Sequence, residues 1–98
     1  MPAYVIVDIS VHDPVPYEDY KKMAQKAVTD FGGRYIARGG ATDALEGEWN
    51  PSRLVILEFP DTATARAWWG SSDYAGAKAL RQRCASTKML LVEGVPTA

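Results

Sequence analysis

The chain is short of the residues from which metal centres and disulfides are usually built, with one cysteine, Cys84, and one histidine, His12. A single cysteine cannot close an internal disulfide. Together with one histidine it is too small a set of soft ligands for an ordinary zinc site, so no metal is expected. Charge of one sign is also missing: eleven Lys+Arg stand against twelve Asp+Glu, a net charge of −1. No broad positive field is available to attract phosphate backbones or anionic lipid, and nucleic acid is not an expected partner. Long apolar runs are absent too. The start, MPAYVIVDIS, has no basic leader and is interrupted by Asp8, and no window approaches the roughly 20 apolar residues of a membrane span. These absences predict a cytoplasmic protein without a membrane partner.

What is present is ordinary globular material: 98 residues, 47% apolar and 23% charged, the size and composition of one domain covering residues 1–98. Only Pro96–Ala98 reads as a disordered end. Residues 3–11 alternate as a strand, with Val5, Val7, Ile9 and Val11 on one side and Tyr4, Ile6, Asp8 and Ser10 on the other. From about Val15 the spacing of Tyr17, Tyr20, Met23, Ala24, Ala27, Val28 and Phe31 predicts a helix with one apolar stripe, ended by Gly32. The segment GGRYIARGG, residues 32–40, is a short strand between glycine pairs that permit sharp bends. Its alternation predicts Arg34, Ile36 and Arg38 on one face and Tyr35 and Ala37 on the other. Residues 42–52 follow as an edge extension and loop that turns at Asn50-Pro51-Ser52.

Residues 53–59 form the clearest strand, apolar on both sides. Pro60 stops it, and Asp61 caps a helix carrying Ala65, Trp68 and Trp69. Gly70 with Ser71 or Ser72 then starts a second helical piece with Tyr74, Ala77, Leu80, Arg81 and Cys84. A last strand covers 87–93. Adjacent helical positions point about a hundred degrees apart, so one of Trp68 and Trp69 is assigned to the core and the other beside it. Cys84 reads as a small buried hydrophobe.

The predicted class is α+β: a ferredoxin-like βαββαβ sandwich, a four-stranded antiparallel sheet with its helices on one face. The other face presents Tyr4, Ile6, Leu54 and Ile56, with either Leu90 and Val92 or Met89 and Leu91, too much apolar surface to leave in water. A homodimer through that open sheet face, a dimeric α/β-barrel, covers it.

The stretches VHDPVPYEDY, GGRYIARGG, LEGEWNPSRLVILEFP and ARAWWGSSDY, together with Arg81, resemble the bacterial family catalogued as domain of unknown function 1330, within the dimeric α/β-barrel group. The likeness spans essentially the whole chain and implies the same fold and a homodimer, without an activity. The wider group includes cofactor-independent monooxygenases, lactone isomerases, haem-handling enzymes and stress-related proteins, so fold alone does not select a function. The haem-handling branch implies a proximal histidine in the second helical region, and residues 61–86 contain none. No cofactor is expected.

The candidate ligand-binding residues are Arg38, Tyr35, Trp49, Arg53, Tyr74, Arg81 and Asp8. Arg38, beside a flexible bend, suits a carboxylate held by paired hydrogen bonds; its alternative is an ion pair with Asp8, Glu58 or Glu93. Trp49 and Arg53 flank the turn into the third strand, as the mouth of a pocket or as cover for a sheet edge or partner. A tyrosine beside an arginine, Tyr35 or Tyr74 near Arg81, donates a proton if its pKa is lowered; otherwise it packs with its hydroxyl hydrogen-bonded. Asp8 with Ser10 could polarise a bound water or a hydroxyl. No nucleophile triad and no phosphate loop is present. The sequence therefore predicts binding of a small anionic or aromatic metabolite in a polar-lined cavity. The alternatives are a cofactor-independent enzyme, in which Arg38 and Arg53 position an anion while Trp49 excludes water, and a non-catalytic structural dimer.

Overall fold

The computed structural model describes residues 1–96; the remainder of the Pro96–Ala98 end lies outside the described residues. In chain order the elements are β1 (Ala3–Val11), α1 (Pro14–Asp30), β2 (Arg34–Arg38), β3 (Leu54–Phe59), α2 (Thr62–Trp69), α3 (Ser72–Cys84) and β4 (Ala85–Glu93). The strands form one antiparallel sheet in the order β2-β3-β1-β4. This is the ferredoxin-like arrangement that the alternation predicts. Two boundaries differ from expectation. Strand β4 starts at Ala85, paired with Val11, because the chain passes straight from α3 into extended backbone. The stretch between Arg38 and Leu54 holds no strand: Gly39 and Gly47 take positive φ, which breaks strand geometry, so the expected edge extension does not form.

One face of the sheet carries the core. Val5, Val7 and Ile9 from β1 and Val55, Leu57 and Phe59 from β3 are buried under Tyr17, Tyr20, Ala24, Ala27 and Val28 of α1 and Ala77 and Cys84 of α3. Trp68, 1% exposed, lies between Phe59 and Tyr74 with ring centroids 5.1 and 4.4 Å away. Truncating such a ring typically costs about 3–5 kcal/mol. Trp69 is the flanking member, its ring covered by Lys78 Nζ at 3.7 Å. The helix starts are built from side chains: Asp61 accepts from Thr64 N at 2.7 Å, and Ser71 Oγ accepts from Tyr74 N at 3.1 Å.

The reverse face is the one the sequence leaves apolar. Pairing sets Ile6 between Ile56 and Leu90, Tyr4 between Glu58 and Val92, and Asp8 between Leu54 and Lys88. Register therefore decides which residues of β4 are outside: Leu90 and Val92 are exposed, while Met89 and Leu91 pack against the core.

Candidate functional site

Strict alternation fails at one place in β2, and the failure creates the site. Arg34 pairs with Glu58 and Tyr35 with Leu57, but the next pairs are Ala37 with Ile56 and Arg38 with Val55. Ile36 is thus an extra residue, a β-bulge, and it returns Arg38 to the helix-facing side beside Tyr35. Arg34 alone reaches Glu58, at 2.7 Å. The expected ion pair of Arg38 with Asp8, Glu58 or Glu93 is not formed, because the bulge carries its guanidinium to α1. There Nη1 donates to Gln25 Oε1 at 2.9 Å and Nη2 to the Lys21 carbonyl at 3.2 Å, with Cζ 4.2 Å from the Tyr35 ring centre.

Arg53 arrives from the position immediately before β3. Its guanidinium lies against Gly39, whose φ of +71° and missing side chain leave the space: a Cβ there would sit 2.8 Å from Arg53 Cζ. The same group stands 5.7 Å from the centre of the Tyr17 ring, and its buried Nε has no hydrogen-bond partner. Glycine at 39 therefore seats a cation as well as ending a strand.

The third side of the site is a pair of phenols joining two helices. Tyr20 Oη and Tyr74 Oη are 2.9 Å apart, and Arg81, on the same buried face of α3 and 4% exposed, is close enough to act on Tyr20 electrostatically. Arg81 Nε is buried without a partner. Among the described residues the ion pairs are Glu18–Lys21, Lys26–Asp30 and Arg34–Glu58, so none involves Arg38, Arg53 or Arg81.

Between helices and sheet lies a cavity touched by Tyr17, Tyr20, Tyr35, Arg38 and Arg53, with Trp68 and Met89 at its β4 side. No aspartate or glutamate lines it. Its open space is about 20 Å³, room for one water molecule. Of the candidates, Tyr35, Arg38 and Arg53 line this cavity, while Tyr74 and Arg81 support it through Tyr20. Trp49 stands apart, 61% exposed in the Gly39–Arg53 loop. Asp8 is on the reverse face, where it lines a separate polar cleft with Ser10, Asn50, Ser52, Ser86 and Lys88. The sequence reading missed Tyr17 and Tyr20, absorbed into the apolar stripe of the first helix. The available signal was that two phenols at i and i+3 place two hydroxyls on one face.

A family model described as "Domain of unknown function (DUF1330)" matches residues 2–95. The chain belongs to the DUF1330 family. Among curated proteins none matches it. Among solved structures it resembles RPA0582, a protein of unknown function from Rhodopseudomonas palustris, at TM-score 0.77 and 15% identity, covering 98% of this chain and 84% of that one. SnoaB, a cofactor-independent oxygenase from Streptomyces nogalater, superposes at TM-score 0.57 and 12% identity, covering 98% and 95%. A conserved protein from Bacteroides thetaiotaomicron described as "Possible Oxidoreductase" superposes at 0.63 and 16%, covering 95% and 97%. Likeness at this identity establishes the fold, that of the dimeric α/β-barrel proteins, for this DUF1330 member.

The electrostatics of the DUF1330 cavity decide what its phenols can do. Burial raises the pKa of Tyr17, and the charge of Arg53 only partly offsets that rise. Tyr35 is likewise raised by burial against the opposing charge of Arg38. Burial and the neighbouring Tyr74 push Tyr20 far above the ordinary phenol range. The lowered pKa that a proton-donating tyrosine beside an arginine requires is therefore not found at Tyr35, because desolvation outweighs the arginines. These are neutral hydroxyls, built to donate hydrogen bonds.

Proposed function

We propose that this DUF1330 protein binds a small anionic or aromatic metabolite, a carboxylate above all, at the cavity between its helices and sheet, which widens from its one-water volume to admit it. The supporting observation is the charge inventory: Lys21, two guanidiniums and three phenols line one cavity without a single carboxylate. Lys21 is paired with Glu18 at 3.0 Å, whereas among the described residues neither guanidinium has an ion-pair partner and the buried Arg53 Nε has no hydrogen-bond partner. Arg38 is exposed and Arg53 half-buried, so the cost falls on the buried Arg53 Nε: a buried charged donor left unpaired is unfavourable, and an anionic ligand that accepts from it offsets that cost. Arg38 keeps free donors after its two bonds to α1, Arg53 supplies a second fork, and the tyrosine rings offer flat faces to an aromatic body.

A cofactor-independent enzyme is the second reading, favoured by the fold shared with SnoaB. In that reading the acidic substrate loses its proton to water, since no histidine or carboxylate lines the cavity to act as base, and the arginines stabilise the resulting enolate or phenolate. In either reading the molecule is a homodimer in which the Ile6, Ile56 and Leu90 face is covered by a second copy, as two sheets packed about 10 Å apart.

The test is a thermal-shift screen of small aliphatic and aromatic carboxylates against the wild type and Arg53→Ala. A carboxylate at a hundred times its Kd stabilises the native state by about 2.7 kcal/mol. A rise in Tm that disappears in Arg53→Ala supports the assignment. Equal rises in both proteins, or no rise with any carboxylate, overturns it.

A further inference from the structure

The cavity as it stands holds about one water, yet a second space adjoins it. Between α2 and β4 a cleft of about 370 Å³ opens to the surface, lined by Val5, Ala65, Arg66, Trp69 and Leu91, together with Trp68 and Met89. Trp68 and Met89 also line the inner cavity, so these two side chains are the partition between the spaces. They are unlike each other. Trp68 is fixed by stacking on Phe59 and Tyr74, and its buried Nε1 has no hydrogen-bond partner. Met89 is only partly buried, and a methionine side chain is unbranched and readily changes rotamer.

Resting on the carboxylate reading above, we infer that the ligand site continues through this partition and takes an elongated carboxylate. Its charged head lies at Arg38 and Arg53 and its apolar body passes Met89 into the α2–β4 cleft. The sheet order supplies the length. Arg53 precedes β3 and Met89 belongs to β4, with β1 between them. Two strand spacings are roughly 10 Å, the span of an arylalkanoate or a medium-chain fatty acid and more than that of benzoate. Joined, the spaces exceed the roughly 300 Å³ at which metabolite sites begin. Trp68 borders both spaces and its buried N–H is unpaired, so that N–H can donate to an oxygen carried on the ligand body or to a water beside it. Met89 acts as the gate. If the open rotamer is populated on the order of 10%, removing the gate tightens apparent binding about tenfold.

The test titrates benzoate, 3-phenylpropanoate and 5-phenylpentanoate into the wild type, Met89→Ala, Met89→Leu and Leu91→Trp. Calorimetry gives affinity, and the indole N–H resonances, three in the wild type, are followed by NMR. Affinity is expected to rise about three- to fourfold per added methylene, the Trp68 resonance to move, Met89→Ala to bind about tenfold tighter, and Leu91→Trp, which enlarges a side chain lining the cleft, to reverse the gain with length. Met89→Leu reports on folding, and a native-like spectrum from it keeps the gate test valid if Met89→Ala unfolds; Leu91→Trp then decides. Arg53-dependent binding of benzoate with no length dependence and a stationary Trp68 resonance overturns this inference while leaving the carboxylate site intact. Failure of every member, benzoate included, overturns both.

Discussion

Replacing Gly39 by alanine should separate the seating of Arg53 from the stability of the fold. At φ +71° an L-residue is strained, and a Cβ would stand 2.8 Å from Arg53 Cζ, closer than van der Waals contact allows, and closer still to Nη1. The backbone term is about 1–2 kcal/mol, the usual cost of left-handed backbone for an L-residue. The clash itself is cheap to relieve, because what it strikes is the far end of a flexible side chain. Relief moves the guanidinium away from Tyr17 and the cavity. At about 4–8 °C per kcal/mol for a domain of this size, Tm should fall by roughly 5–15 °C. Loss of a charge-assisted hydrogen bond worth about 1.5–3 kcal/mol should weaken carboxylate binding by about 10- to 100-fold. Gly40→Ala is the control: nothing lies within 4 Å of its Cβ position and its φ is unexceptional, so stability should change by less than about 0.5 kcal/mol. Urea unfolding gives the first quantity and calorimetric titration the second. A Gly39→Ala protein that binds carboxylate as tightly as the wild type would refute the reasoning, because Arg53 would then not need its seat.

Three further outcomes are expected. Tyr20→Phe and Tyr74→Phe each leave a buried hydroxyl unpartnered and should each cost about 1–3 kcal/mol, while the double variant costs less than their sum; additive losses in a double-mutant cycle would deny the 2.9 Å bond any coupling. Because the pKa values of Tyr17, Tyr20 and Tyr35 are raised in the folded protein, their contribution is complete below the ordinary phenol pKa near 10 and is lost as pH rises beyond it. The tyrosinate absorbance of these three should accordingly appear together with unfolding in an alkaline titration, and full ionisation of all the tyrosines in a still-folded protein would contradict this. Leu90→Glu, placing charge on the open sheet face, should convert a sedimenting dimer to monomer; a wild type that is monomeric at micromolar concentration would remove that interface.

The fold was legible because its strands alternate cleanly. Val5, Val7 and Ile9, and Val55, Leu57 and Phe59, allow only one register with the helices, and Asp61, Gly32 and Gly70 mark their ends. What alternation could not show was Ile36. A bulge has no residue signature of its own in RYIAR, yet it decides that Arg38 faces α1 instead of Asp8 or Glu58. Tyr17 and Tyr20 were hidden for another reason, since a phenol is apolar along most of its length and fits a core stripe, and only its partners reveal the hydroxyl. Trp49 drew attention by residue type, but the loop that carries it is long and polar and presents it to solvent. Asp8 was separated from the arginines by the same period of two that placed Val7 and Ile9 in the core.

The most direct check on the central assignment is a crystal soaked with a bromine-labelled aryl carboxylate and measured at the bromine absorption edge. The account predicts one anomalous peak between helices and sheet, with the carboxylate within hydrogen-bond reach of Arg38 and Arg53. A peak on the Asp8 side of the sheet, with the tyrosine–arginine cavity still holding only water, would contradict it.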